Sequence, residues 1–471
     1  MQTGSRTRRV TSAPPKFVTG SILRHILVLT GTGAAGLMAI FLGDLANILF
    51  LSWVGDDVVI AAVGYASAIL FLTISIGIGL SIAATSLVSP ALGAGRRMRA
   101  RRLSLNAHVL TFVAASLLSL VIWLLIPQFL ELLGATGRAY ELATVYLLIL
   151  VPALPPLAVA MTSASVLRSA GDARRAMNVT LIGAPVNTLL DAILILGLGL
   201  GIQGAAIASA LARLVMMAIG LYGVVWVHDL WGRLRVRTVL ADAPAHIAVA
   251  VPAVLTNIAT PVANAYVTRA MAPFGDTAVA GWAIVGRVIP VAFGAIFALS
   301  ATVGPIIGQN YGAGAFDRVR ATLTQSLLVT AAFTGIAWAI LAVLAWPIAS
   351  AFDATGETAD LIVFFCRALP PSFVFLGALF VANVVFNTLG RPHYSTALNW
   401  GRATLGTVPL VQAGAVLAGA AGVLAGSVLG GVIFGILAVW LAYRWIDQLA
   451  TKSNREDATR FAGKARSGAA G

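Results

Sequence analysis

Two carboxylates lie where a carboxylate is expensive. Asp44 and Asp191 each fall deep inside a long apolar run, whereas the other acidic residues occupy loops, tails or the ends of such runs. A charge at the centre of a bilayer costs about 2.5–3.5 kcal/mol on insertion scales. A carboxylate placed there can take a proton, hold a monovalent cation or bind a cationic substrate. Desolvation favours the neutral acid, which suits reversible proton loading. The run Pro185-Val186-Asn187-Thr188-Leu189-Leu190-Asp191 puts Asn187 and Asp191 four residues apart, on one helix face. Pro185 frees a backbone carbonyl one turn earlier. The run Gly43-Asp44-Leu45-Ala46-Asn47 puts Asp44 and Asn47 three apart, again on one face. The plainer alternative for each Asp is a neutral, hydrogen-bonded packing residue between helices. The second half of the chain offers Asn257, Asn264, Asn383, Asn387 and Asn399 but no deep carboxylate, so the halves read as functionally unequal.

Other chemistries find little support. There is no Walker-type loop for ATP hydrolysis and no His/Cys spacing for a metal. His25, His108, His228, His246 and His393 fall near segment boundaries, where snorkelling accounts for them. Cys366 is the single cysteine, which excludes a disulfide scaffold. Arg213, Arg287, Arg367 and Arg402 lie in or near apolar segments and could neutralise carboxylates or bind anions. Snorkelling toward the cytoplasmic edge accounts for Arg213, Arg287 and Arg402, whereas Arg367 is placed to pair with Asp360 or Glu357. An intramembrane enzyme would need a nucleophile paired with a base, and none is seen. The reading is therefore a non-enzyme with no cofactor and no firm metal site. An ion held by the deep carboxylates would be H+ or Na+, with Asp191 and Asn187 as the place for sodium.

The elements that carry these residues follow from composition. Of 471 residues, 59% are apolar and 10% charged, against about 25% charged in a soluble domain. At about 20 apolar residues per crossing, the chain has room for a dozen transmembrane helices. Twelve apolar segments are read at 22–52, 58–88, 104–126, 139–164, 176–198, 204–228, 246–272, 277–305, 321–346, 359–385, 396–416 and 422–445. The net charge of +14 does not indicate nucleic acid, because most of the 31 Lys and Arg fall in alternate connections. That alternation is the positive-inside pattern, and it places both termini in the cytoplasm and the chain in the inner membrane.

An internal repeat organises the whole. Gly55-Asp56-Asp57, Gly93-Ala94-Gly95 with Arg99 and Arg101, Val166 to Gly171, and Gly204 to Ser209 each recur about 219 residues later. Six helices per half is an even number, so the halves share one orientation. They form parallel repeats about an axis normal to the membrane, the plan of an alternating-access carrier. The expected fold is all-α and polytopic, with 12 transmembrane helices in two six-helix lobes related by a pseudo-two-fold parallel repeat. The expected division is a disordered cytoplasmic tail (1–20), an N-lobe (21–228), a cytoplasmic linker (229–245), a C-lobe (246–445) and a second cytoplasmic tail (446–471).

Several of these motifs resemble the multidrug and toxic compound extrusion (MATE) transporters, with the DinF-like branch the nearest in pattern. Gly308-Gln309-Asn310-Tyr311-Gly312-Ala313-Gly314 is similar to the family's GQNxGAx turn. Leu167-Arg168-Ser169-Ala170-Gly171-Asp172 is similar to its LRGxGD turn. Pro185 to Gly204 resembles its helix 5–6 pattern. The resemblance covers about residues 20–445. It implies export of organic cations or other amphipathic compounds, driven by a proton or sodium gradient. It also implies that Asn187 and Asp191 line an N-lobe cavity and that Ser209, early in helix 6, contributes a hydroxyl. Helix 1 departs from the family pattern: Asn47 occupies the usual Asp slot and Asp44 lies one turn away. The expected partners are a small cationic or amphipathic substrate and membrane lipid, with no nucleic acid and a monomeric chain. A lipid-linked oligosaccharide flippase of the same superfamily is the main rival. It would require the four membrane arginines to converge on one cavity. A channel is the remaining rival.

Overall fold

The computed structural model describes residues 15–53 and 57–468. The side chains of Asp44, Ile48, Leu72, residues 52–57 and residues from 456 onward lie outside that description. Within it the chain is helical, with no strand among the described residues. Eleven helical stretches are long and apolar enough to cross a bilayer.

The first half runs α1 (Ile22–Trp53), α2 (Asp57–Gly93), α3 (Arg97–Leu124), a short α4 (Ile126–Leu132), α5 (Gly137–Leu150), α6 (Leu154–Ser169), α7 (Ala173–Asp191) and α8 (Gly201–Tyr222). The second half repeats it as α9 (Val236–Met271), α10 (Asp276–Gly312), α11 (Phe316–Val343), α12 (Ala345–Ala351), α13 (Gly356–Ala368), α14 (Phe373–Thr388), α15 (Pro392–Gly401) and α16 (Val408–Gly468). The fourth crossing of each half is broken at a proline-bearing 3-10 turn, Val151–Ala153 in one and Pro370–Ser372 in the other. Proline removes the amide that would continue the helix.

The last apolar stretch, Pro392–Arg455, spans 64 residues. At 1.5 Å per residue it would be about 96 Å long, three times a bilayer core of about 30 Å. It folds back instead. Ala418 and Gly419 leave helical geometry, and Gly419 takes the left-handed φ of +58° that a side chain disfavours. The two arms then press backbone to backbone, Gly414 on Gly422 and Gly406 on Gly430, with no room for a Cβ. The eleven stretches therefore make twelve crossings, six in each half.

The halves meet through α2 and α10, α2 and α9, and α1 and α10. Gly93 lies against the backbone of Gln309, and Gly312 lies against the backbone of Pro90. Each contact becomes the other when about 219 is added to one residue and subtracted from its partner, the signature of a two-fold relation. This crossing is at the end that carries the basic turns after α2 and α10. Toward mid-depth, Gly79 faces Ala250 and Val254, and Gly33 faces Ala298 and Thr302. Farther along, Leu42 of α1 and Val291 of α10 are exposed, as are Phe71 of α2 and Val262 of α9. The halves are thus in their tightest backbone contact at the basic end.

Residues 15–20, read above as the end of a polar tail, are fastened across that contact. Lys16 Nζ donates to the Gly171 carbonyl (2.7 Å) in the first half. The Phe17 amide donates to Gln309 Oε1 (2.9 Å) in the second, and Gln309 Nε2 donates back to the Ser169 carbonyl (2.7 Å). Arg318 Nη2 donates to the carbonyls of Phe17 (3.0 Å) and Gly20 (3.1 Å). The Phe17 ring is buried between the halves, and its apolar contact with that seam holds the segment in place.

Two boundaries also differ from expectation. The linker 229–245 is helical from Val236, and α16 continues through the expected second tail as far as Gly468. Both extensions are polar helix projecting past the apolar zone, where loss of hydrophobicity does not mark a helix end.

The turn after α6 is held by Asp172. Its Oδ1 accepts from the Arg175 amide (3.1 Å), capping α7, and its Oδ2 accepts from Arg175 Nη1 (2.6 Å) and lies 2.8 Å from His228 Nε2. Burial alone would raise this carboxyl, but the hydrogen bonds from Arg175 and His228 outweigh it and hold it below the ordinary carboxylate range. A depressed value means that the stabilisation is complete above the ordinary carboxylate range and fades as pH falls through the depressed value. Asp172→Ala is expected to cost about 1 kcal/mol of stability at neutral pH, the usual size of a lost helix cap. The wild-type and variant melting temperatures should converge in strong acid, which a pH series of thermal unfolding would check.

Candidate functional site

Asp191 is fully buried at the last residue of α7. Asn187 Nδ2 donates to its Oδ2 at 2.8 Å, so the pair four apart in sequence is brought together. The α-helix passes into a π-helical turn, Ala192–Gly197, immediately after Asp191. A π-turn widens the backbone and recurs at functional positions. Pro185 stays inside α7 with its ring on the exposed face, two turns before the carboxylate. α1 packs along α7, with Gly36 against Thr180 and Gly43 against Ala184. Asn47 lies one turn beyond Gly43 and is 8% exposed, and its buried Nδ2 has no hydrogen-bond partner among the described residues. The same holds for Asn187 Oδ1. A buried donor and a buried acceptor without partners are costly, and an ion, a proton carrier or a polar group could satisfy them.

Ser209 and Asp44 are the two remaining expected members. Ser209 is half-buried on α8, and among the described residues no hydrogen bond joins it to Asp191. Asp44 lies within α1, but its side chain is outside the described residues. Among the described residues no group of three or more His, Cys, Asp or Glu gathers to hold a metal ion. The oxygens of Asp191 and Asn187 instead suit a single proton or monovalent cation.

The membrane arginines do not converge. Arg213 on α8 donates to the Leu150 carbonyl (3.3 Å) in the first half. Arg287 and Arg367 are exposed, and among the described residues Arg367 forms no ion pair with Asp360 or Glu357. Glu357 instead accepts from Thr277 (2.9 Å). Arg402 contradicts the snorkelling expectation: it is 7% exposed and donates to Thr260 Oγ1 (3.0 Å) inside the second half.

The histidines also correct the sequence reading. His108 and His246 are each 2% exposed, inside the protein rather than at its edge. His108 Nε2 pairs with Ser163 Oγ (3.0 Å), and its Nδ1 with the Ser104 carbonyl (2.7 Å). Their helices extend well past the apolar zone, so a residue near the start of an apolar run is already several turns inside the bundle.

Twelve helices in two like-oriented bundles, sealed at one end, with a buried carboxylate in one bundle, define a multi-pass membrane transporter and not an enzyme. The MatE family model matches residues 34–193 and again 252–411, once in each half. The chain belongs to the MatE family of multidrug efflux transporters. It is 29% identical over 437 residues to a protein of Shewanella oneidensis named FAD transporter, spanning 91% of this chain and 96% of that one. It is 21% identical to the multidrug export protein MepA of Staphylococcus haemolyticus, over 86% of this chain and 90% of that one. Its fold is similar to the crystal structure of the Vibrio cholerae MATE transporter VcmN in the bent form, with a TM-score of 0.85, 26% identity, and coverage of 91% of this chain and 98% of that one.

Proposed function

We propose that the chain is a secondary antiporter that exports an amphipathic organic compound in exchange for protons or sodium. The carrying observation is Asp191, fully buried and joined to Asn187 at the junction of α7 with its π-turn. Asp191 accepts the coupling ion, with Asn187, Asn47 and Asp44 around it and Ser209 on the facing helix. Loading the ion neutralises the carboxylate, changes how α1 packs on α7, and releases cargo on the side away from the basic end. The basic turns support a cytoplasmic position for the sealed end and both termini, with the chain in the inner membrane. The chain acts as a monomer and needs no cofactor.

Two cargo readings follow. Organic cations and drugs fit the names of the multidrug relatives. A flavin dinucleotide fits the name of the Shewanella oneidensis protein, to which the likeness runs almost end to end. The flippase rival is disfavoured by the dispersal of its required arginines.

Everted vesicles with a proton gradient or a sodium gradient imposed separately test the proposal. A fluorescent organic cation and a flavin nucleotide serve as probes. Uptake that follows one gradient is expected, and it names the coupling ion. Uptake indifferent to both gradients overturns the antiport reading.

A further inference from the structure

We infer that Arg402 heads an anion-binding site in the second half, one that takes the phosphate or carboxylate group of the transported compound. The inference rests on the transport reading above and adds the chemical class of one part of the cargo.

Depth is the first observation. Arg402 lies ten residues after Pro392, about 15 Å along the helix axis from the start of α15. Its partner Thr260 is eleven residues before the end of α9, about 16 Å from that end by the same rise. The guanidinium is therefore held well away from the ends of both helices and turns inward to Thr260, not toward the basic surface.

Its surroundings are the second observation. The side chain is more than nine-tenths buried, Nη2 bonds only a hydroxyl, and Nε is buried with no partner. Among the described residues no carboxylate forms an ion pair with it. Burying a charge without a counter-charge costs several kcal/mol. A fixed guanidinium with free N–H groups lowers that cost when an anion arrives, and its planar fork matches carboxylate and phosphate oxygens two at a time.

The neighbours supply donors and no competing acid. Ser395 and Asn399 of α15 and Arg402 just after it follow one another at spacings of four and three, on one side of the helix. Asn399 Nδ2 donates to Asn383 Oδ1 (3.1 Å), and Ser395 Oγ donates to Asn387 Oδ1 (3.2 Å). Both α14 amides thus use their oxygens within the seam. Their N–H ends donate no hydrogen bond among the described residues.

The halves then read as a pair. Asp191 immediately precedes the π-turn of the seventh helix, and Arg402 opens the π-turn Arg402–Gly406 that follows α15. Each half holds one buried charged residue at an α-to-π junction, with opposite sign. The first half carries the coupling cation and the second the anionic end of the cargo.

An anionic lipid headgroup shares this chemistry, so the test separates the two sources. Full-length protein is placed in phosphatidylcholine nanodiscs, with riboflavin and riboflavin 5′-phosphate as a pair differing only in the phosphate. Inorganic pyrophosphate serves as a ring-free probe read by thermal unfolding. The phosphorylated flavin is expected to bind at least about tenfold more tightly, and pyrophosphate to raise the melting temperature. Arg402→Gln should erase both effects, Arg402→Lys should keep part of each, and Thr260→Ala should weaken them while leaving the charge in place. Equal affinity for the two flavins without a pyrophosphate shift overturns the site. So does an undiminished preference in well-folded Arg402→Gln. Stabilisation that appears only when phosphatidylglycerol is added to the nanodisc, and that Arg402→Gln removes, assigns the anion to lipid and overturns the cargo role. A phosphate preference that survives where no gradient drives transport leaves this site standing and removes only the antiport reading.

Discussion

Asp191→Asn is expected to abolish gradient-driven export, lowering the coupled rate by about 100-fold, while cargo still exchanges slowly down its own gradient. The amide keeps the size of the side chain and an oxygen for the Asn187 Nδ2 bond, but it cannot gain or lose charge. What disappears is the difference between an ionised and a neutral group buried in a membrane-spanning helix. That difference is about 2.5–3.5 kcal/mol on insertion scales, and each 1.4 kcal/mol is a factor of about ten. Asp191→Glu, which restores a titratable group on a longer stem, should recover part of the coupling. Vesicles carrying each variant, with proton and sodium gradients imposed in turn, provide the measurement. Full coupled export by Asp191→Asn would remove the carboxylate from the mechanism.

The second large effect lies at the seal. Gly93→Val and Gly312→Val are expected to hold the basic end open and to do so about equally, because the two contacts are related by the two-fold axis. A Cβ at Gly93 meets the Gln309 backbone, and one at Gly312 meets the Pro90 backbone. Neither neighbour can yield as a flexible side chain would. Overpacking of this kind costs about 1–3 kcal/mol, here charged only to the sealed state, so its population falls by about 5- to 150-fold. Ser89 is fully buried beside Gly308 in the same contact. A cysteine there, in a Cys366→Ala background, should be alkylated faster in both variants, and transport should drop in parallel. Gly431→Val meets nothing within 4 Å and should change neither. Unchanged labelling at Ser89→Cys would show that this crossing does not close the basic end.

Much of this was legible in the residues. Apolar runs marked the crossings because every lipid-facing turn must be apolar, and the recurrence at about 219 residues marked the halves because both fold alike. Asp191 and Asn187 stood out since a carboxylate amid apolar neighbours has few structural excuses. Other features were hidden for specific reasons. Helix ends at Gly93, Gly312 and Val236 lie beyond the apolar zone, where composition no longer tracks helicity. Arg402 looked like an edge residue because depth depends on where the preceding helix starts, and α15 starts at Pro392. The histidine pair was misread in the same way. Phe17 gave no signal, since one aromatic residue in a polar stretch says nothing about a partner nearly 300 residues away.

That last distance governs how the molecule is made. Phe17 leaves the ribosome well before the side chains that grip it, which belong to Gln309, Asn310 and Arg318 and are separated from it by 292, 293 and 301 residues. At about 5–20 residues per second, roughly 15–60 s of synthesis separates the strap from its receptors. Late in that interval the first six crossings are complete, with nothing to close against. The transporter thus becomes leak-tight only after α10 and the start of α11 have been inserted, so that a chain arrested earlier has a complete first bundle and no means of sealing it.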